Sequence, residues 1–275
     1  MIRAMEGFDV HGDKGRIDWA KARADGHSFA FVKASEGATF VDARIAENLS
    51  GGAKAGLLVG PYHYARPDNR PNLYGAKIEA NFFCKVIAAA GYNKVIHGRP
   101  VLDIEVGGGD LSAWANAFCS WVEELTGVSP IIYSYTYFVR SHLQAPYLAD
   151  RLLWLANYGP NDGSRHEIPS GEAPWPNWTV HQYTSRGSVS GVSGNADRNF
   201  TDSLSPLRAF ESEGKPMWLW IRWKRGHGEF KPFGKSNPAV RPDVPKKIPA
   251  AWWARLLLNM GIHPLGGGAW KRTVQ

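Results

Sequence analysis

Cysteine is almost missing: the chain of 275 residues has two, Cys84 and Cys119. A disulfide-stapled scaffold is therefore excluded, and no Cys/His cluster has the spacing of a structural zinc site. Both cysteines stand in apolar, helix-like surroundings, NFFCKVI and NAFCSWV, and read as buried reduced thiols. No run approaches the roughly 18 consecutive apolar residues that cross a bilayer, so no transmembrane segment is expected. The opening MIRAMEGFDV lacks the apolar core of a secretory signal, and no cleaved export leader is expected. Internal repeats are absent too. With 44% apolar and 21% charged residues, the composition is that of a soluble globular protein. Its length suffices for one large domain, or for a domain with an appendage.

The net charge of +7 is unevenly placed. Residues 211–275 hold twelve Lys and Arg against four Asp and Glu, and six of the twelve tryptophans. The rest of the chain is close to neutral. This shift sets an expected boundary: a domain over 1–207 and a basic, Trp-rich C-terminal segment over 208–275. Within that segment, 231–249 is rich in Pro and Lys and reads as extended. Residues 248–261 have the pattern of one amphipathic helix ending at Gly261, and GGGAWKRTVQ reads as a frayed end.

The first part alternates short apolar runs with amphipathic stretches. Expected strands are 6–10, 28–35, 57–65, 99–106, 130–136, 152–158 and 178–184. Expected helices are 17–24, 42–56, 74–91 and 111–127, with Asp42 and Asp110 as N-caps. Strands this apolar, separated by helices, indicate parallel βα units. Seven or so of them over about 200 residues suit an α/β barrel better than a small doubly wound sheet. After residue 136 the helical patterns shrink, so the barrel is expected to be irregular in its last third.

Functional side chains in such folds collect at the C-terminal ends of the strands. In VLDIE, Asp103 and Glu105 stand two apart, on the same face of a strand and about 6.6 Å apart along it. That spacing brings two carboxyls near the roughly 5–5.5 Å separation of a retaining glycosidase pair. Two acids so close cannot both ionise freely; one held protonated can donate to a glycosidic oxygen while the other stabilises positive charge. Asp9 ends the first strand and Asp197 lies in the last, in VSGNADRNF. Barrel closure makes first and last strands neighbours, so four acids converge on one mouth.

The succession GFDV, IDW, FAFVKASEG, GPYHYA, PVLDIE, IIYSY, LWLANY and WTVHQYTSRGSVSGVSGNADRN resembles glycoside hydrolase family 25, over nearly all of residues 6–200. The resemblance implies a flattened, irregular TIM-like β/α barrel that cleaves the β-1,4 bond between N-acetylmuramic acid and N-acetylglucosamine in bacterial peptidoglycan. It implies Glu105 as general acid/base and Asp103 as the group that stabilises the transition state or orients the substrate's acetamide. Asp9 and Asp197 become further acids of the cleft. Whether Asp103 or the substrate's own N-acetyl group acts as nucleophile stays open. No metal and no cofactor are called for. After GFDV, where the family usually continues with a Ser- and Gln-containing stretch, this chain has HGDKGR, and 158–178 is a loop of its own length.

The same strand-end logic names substrate-binding candidates: Lys33 and Glu36, Tyr62 with His63, Tyr133 with Tyr135, Trp154 with Asn157 and Tyr158, and Gln182 with Tyr183. Flat aromatic faces stack on sugar rings, while amides and carboxylates bind hydroxyls and acetamides. Tyr62, Trp154 and Tyr158 lead the aromatic candidates. The basic tail suits anionic wall polymers; nucleic acid is not an expected partner. A phage endolysin is the role implied: a lysozyme held in the host bacterial cytoplasm that reaches the wall through membrane holes made by another protein. Rival readings are a virion-borne hydrolase, a chitinase-like enzyme, and a non-catalytic wall-binding or virion structural protein that retains the barrel.

Overall fold

Strands that are apolar on both faces need both faces covered, and here a closed barrel covers one and helices cover the other. The computed structural model describes residues 5–168 and 170–209, and, as backbone, 220–224, 227–231, 262–265 and 269–272. The chain divides into two compact units, Met1–Glu211 and Ser212–Gln275.

In the first unit the chain runs β1 (Met5–Val10), α1 (Trp19–Ala24), β2 (Phe29–Glu36), β3 (Phe40–Val41), α2 (Ile45–Lys54), β4 (Leu58–Tyr64) and α3 (Leu73–Ala89). It continues β5 (Val101–Asp103), α4 (Ser112–Thr126), β6 (Ile131–Tyr135), α5 (Thr136–His142), β7 (Leu153–Ala156), β8 (Val180–Gly187) and β9 (Ala196–Thr201). The sheet order is β1-β9-β8-β7-β6-β5-β4-β2, with β1 pairing β2 to close it and β3 as a hairpin on β2. All barrel pairings are parallel except those of β9, which runs antiparallel to β8 and β1. The fold is thus the expected α/β, TIM-like barrel, mixed rather than all-parallel because its last strand returns directly from β8 without a helix.

Local chemistry accounts for the helices. The Asn72 side chain accepts the Gly75 N–H at 2.8 Å and caps α3. Gly127, in the left-handed conformation at φ 72°, ends α4. Asp42 and Asp110 do not occupy the N-cap positions expected of them; Arg44 and Leu111 do. Asp110 still accepts the Ser112 N–H at 2.9 Å, whereas buried Asp42 bonds the backbone of Arg44 and Gly12. Cys84 on α3 and Cys119 on α4 are free thiols. No helix among the described residues is long and apolar enough to cross a membrane.

Strand alternation sorts the core into two layers. Phe8, Val32, Val59, Leu102, Ile104 and Ile132 face the helices, against Trp114, Phe118 and Phe83. Phe29, Phe31, Leu58, Val101, Ile131, Trp154 and Val180 fill the barrel itself. The expected strand 99–106 is only three residues long, yet its alternation continues: the Ile104 N–H still reaches Tyr133 O at 3.1 Å, and Ile104 stays in the helix-side layer.

Among the described residues, the second unit has two antiparallel hairpins, β10 (Trp220–Lys224) with β11 (His227–Lys231), and β12 (Ile262–Leu265) with β13 (Ala269–Arg272). The last stretch is therefore not wholly frayed as expected, because the β12–β13 ladder pairs its backbone. The expected helix over 248–261 and nearly all of the extended 231–249 lie outside the described residues.

One position shows how tightly the barrel closes. A Cβ on Gly60 would lie 2.5 Å from the Arg99 carbonyl oxygen and 3.0 Å from the Phe31 ring. Backbone cannot yield as a flexible side chain does, so Gly60→Ala should cost about 1–3 kcal/mol, as overpacking does. Urea denaturation of the two proteins would read this as a lower midpoint at unchanged slope.

Candidate active site

The barrel interior is apolar over most of its depth and polar at the strands' C-terminal mouth. Asp9 on β1 and Asp197 on β9 are register partners across the antiparallel pair. Asp103 ends β5, and Glu105 follows on the same face. All four acids meet there: Asp9 and Asp103 are buried, and Glu105 and Asp197 are half-buried.

The Asp9 carboxyl is held by a network that reaches four other strands, β6 to β9. Its Oδ1 accepts from Gln182 Nε2 at 2.9 Å and from Asn199 Nδ2 at 2.8 Å. Gln182 Oε1 in turn accepts from the hydroxyls of Tyr133 at 2.8 Å and Tyr158 at 2.7 Å. Asn199 Oδ1 accepts from the Trp154 indole N–H at 2.9 Å. Both amides are thus oriented by donors behind them, which aims their NH₂ groups at Asp9. Asp103 differs: its Oδ1 is buried without a hydrogen bond from the protein.

Burial pushes Asp9 well above the usual carboxylate range, and the charge of Asp197 adds to it; the bonds from Asn199 and Gln182 pull the other way. Burial does the same to Asp103, reinforced by Glu105 and opposed by Lys33. Glu105 is raised by burial and by Asp197, with Lys33 again opposing. Asp197 is raised by burial, with Lys14 and His11 opposing. The four acids therefore retain protons to higher pH than free carboxyls do.

Lys33 bonds Glu36 Oε2 at 2.8 Å, and Arg66 bonds Glu36 Oε1 at 3.1 Å. The ammonium also lies 5.0 Å from the centre of the Tyr64 ring. Tyr62 sits in the barrel interior, where burial and the charges of Asp9, Asp103 and Asp197 raise its hydroxyl pKa. Beside Glu105 opens a cleft of about 450 Å³, lined by Tyr133, Tyr135, Tyr137, Asn157 and Tyr158 among others.

Four expected candidates do not lie open to the cleft. Trp154, expected to stack on a sugar, is 2% exposed; its ring stacks on Phe31 at 4.3 Å and serves the core. His63 points to the helix-side layer, where it stacks on Phe118 at 5.1 Å. Tyr183 also turns outward from β8, donating to Glu6 Oε2 at 2.8 Å. Gln182 is buried and bonds Asp9 rather than lying open to a substrate. Conversely, Asn199 and Tyr137 belong to the site without being among the expected candidates. The two-residue alternation that joins Asp103 to Glu105 also joins Asp197 to Asn199, and was the available signal for Asn199. Tyr137, 70% exposed on the first turn of α5, had none. The divergent HGDKGR forms a 3₁₀ turn, Gly12–Lys14, anchored by Gly12 N–H to Asp42 Oδ2 at 2.7 Å.

The chain and its fold match known proteins. The chain is 31% identical over 219 residues to Lysozyme M1 of Streptomyces globisporus, covering 74% of this chain and 70% of that one. It superposes on the crystal structure of the bacterial lysozyme from Streptomyces coelicolor with a TM-score of 0.61 at 29% identity, over 72% of this chain and 92% of that one. The CTP1L endolysin gives a TM-score of 0.61 at 28% identity, over 72% of this chain and 66% of that one. The sequence profile of glycosyl hydrolases family 25 matches residues 8–192. With that span, these relatives and this barrel, the chain belongs to glycosyl hydrolases family 25 and is a glycoside hydrolase.

Proposed function

We propose that the protein is a lysozyme that cuts the β-1,4 bond between N-acetylmuramic acid and N-acetylglucosamine, with Glu105 as proton donor. The observation that carries this reading is the difference between the neighbouring acids: Glu105 lines the open cleft, whereas Asp103 lies buried behind it. Glu105 gives its proton to the glycosidic oxygen as the C1–O bond breaks, and the bonding pair leaves with that oxygen. The positive charge at C1 is met by the Asp103 carboxylate or by the substrate's own acetamide oxygen. Water then adds to C1, and its proton returns to Glu105. Asp9, fixed by Gln182 and Asn199, and Asp197 complete the acid cluster of the mouth. Tyr62, Tyr133, Tyr158, Lys33 and Glu36 shape the substrate side.

The biological role that fits is that of an endolysin, supported by the likeness to the CTP1L endolysin. Residues 208–275 are proposed as a separate wall-attachment segment, on the strength of their positive charge and tryptophans. Enzyme held in the cytoplasm would then be harmless until the membrane is breached.

Glu105→Gln should lower the rate of peptidoglycan cleavage by about 10²–10⁴, the usual share of a general acid. The assay separates new reducing ends from new free amines. Reducing ends that persist in the variant would sink the role given to Glu105, and amines without reducing ends would sink glycan cleavage itself.

Asp103→Asn should melt at higher temperature than wild type near pH 7 while losing activity. The folded-state pKa of Asp103 is raised, so the folded protein holds a proton that the unfolded chain has released. Wild-type stability therefore falls as pH climbs from the ordinary carboxylate range through that raised pKa. Melting curves against pH would show a shallower fall in the variant.

If the tail attaches the enzyme electrostatically, the full chain should co-sediment with purified walls and be released by raised salt. Walls stripped of anionic polymers should hold less of it; equal retention on both would contradict the assignment.

A further inference from the structure

Behind the mouth, on the helix side of the barrel, three fully buried polar side chains form a chain. The Ser35 hydroxyl lies 2.9 Å from His63 Nδ1, and His63 Nε2 lies 3.1 Å from Glu79 Oε2 on α3. The same Glu79 oxygen accepts the Arg66 backbone N–H at 3.0 Å. Since Nε2 faces a carboxyl oxygen that already accepts from Arg66, Nε2 is assigned the ring proton and Nδ1 accepts from Ser35. All three residues are 0% exposed, so no substrate reaches Ser35, and a nucleophilic role is excluded despite the Ser-His-Glu order.

Their position coincides with an irregularity in the sheet. Along the β2–β4 pair, Lys33 is opposite Tyr62 but Ser35 is opposite His63, so one extra residue, Ala34, is inserted in β2. A bulge of this kind re-aims the side chains that follow it. Phe31 faces the barrel interior and Val32 the helices. Strict alternation would then put Lys33 inside, Ala34 outside, Ser35 inside and Glu36 outside. Ala34 does pack in the helix-side layer, but Ser35 turns to His63 in that layer as well, and Glu36 comes back to the mouth side. Only because of this do Lys33 and Glu36, three apart, meet at 2.8 Å.

We propose that Ser35, His63 and Glu79 are positioning residues for the reaction: they pin the β2 bulge and so hold the Lys33–Glu36–Arg66 ion cluster beside Asp103 and Glu105. Glu79 grips both sides of the arrangement, because it holds His63 on β4 and the backbone of Arg66, whose guanidinium clamps Glu36. The groups facing Lys33 are Glu36 and Phe40 from its own hairpin, Tyr64 from β4, and Asp103 and Glu105 from β5 and its extension. Those facing Glu105 are Lys33, Asp197, Asp103 and Asp9, with the hydroxyls of Tyr64, Tyr133 and Tyr158, and those facing His63 are Ser35, Glu79, Glu36 and Lys33. Loss of the pin lets Lys33 withdraw from the acids, and its charge no longer favours their ionised forms.

Only the catalytic consequence rests on the lysozyme reading, so the test reads the acids directly. Ser35→Ala, which removes one hydroxyl, is compared with wild type and with Lys33→Met by carbon-detected NMR titration of the Asp103 and Glu105 carboxyls. Ser35→Ala should move both titrations upward, in the same direction as Lys33→Met. On peptidoglycan it should lower kcat about tenfold, extend the alkaline limb to higher pH and leave KM within about twofold, as a small misplacement does. His63→Gln gives a second perturbation of the same pin if Ser35→Ala folds poorly. Lower melting temperature with unchanged titrations and an unchanged pH profile would reduce the network to a structural role and overturn the proposal. If wild type cleaves no glycan at all, the lysozyme reading fails, and the titration shifts still decide the positioning one.

Discussion

Burying a carboxyl group is unfavourable unless the protein replaces the hydrogen bonds that water supplied, and Asp9 shows how this barrel does so. Two amides aim at one of its oxygens, and each amide is itself held by a donor: the Trp154 indole for Asn199, and two tyrosine hydroxyls for Gln182. These bonds tie β1 to β8 and β9, with β6 and β7 behind them, so the antiparallel seam of the barrel is closed partly by polar contacts. The arrangement does not fully offset burial, which keeps the pKa of Asp9 raised, and Asp197 opposite it adds to the effect. An acid site built this way trades stability for a reserve of protons at the mouth.

The same constraint explains the placement of cations. Lys33 approaches Asp103 and Glu105 from β2, while Lys14 and His11 approach Asp197 from the turn after β1. None of them cancels the effect of burial, so the acids remain above their ordinary range. Lys33 is itself restrained by Glu36, and Glu36 by Arg66. The field at the mouth is therefore set by backbone features, a bulge in β2 and a 3₁₀ turn after β1, as much as by the acids.

Apolar periodicity was a good guide where burial is uniform. The strands around Phe31, Val59 and Ile132 and the helices carrying Phe83 and Phe118 stand where the alternation of pattern placed them. It failed where a side chain's partner is remote in sequence. Trp154 looks like a sugar platform in LWLANY, but its indole N–H is bonded 45 residues away to Asn199 and its ring packs on Phe31. His63, next to Tyr62 in the same strand, turns the other way and is used by α3 and α4. Asp42 reads as a helix cap, and the fold uses it to anchor the turn at Gly12.

Some properties of this protein follow from the sequence by itself. Alternating apolar strands and amphipathic helices specify βα units, and the two-residue spacing in VLDIE puts Asp103 and Glu105 on one face, because successive side chains in extended backbone point to opposite sides. The ordered motifs place the chain in its family. Tertiary structure alone decided that Asp9 and Asp197 are opposite partners, that Gln182 and Asn199 converge on one carboxyl oxygen, and that the bulge at Ala34 returns Glu36 to the mouth. The physical reason is that register and closure join strands up to 190 residues apart. Periodicity along one strand carries no information about which residue of another strand will lie beside it.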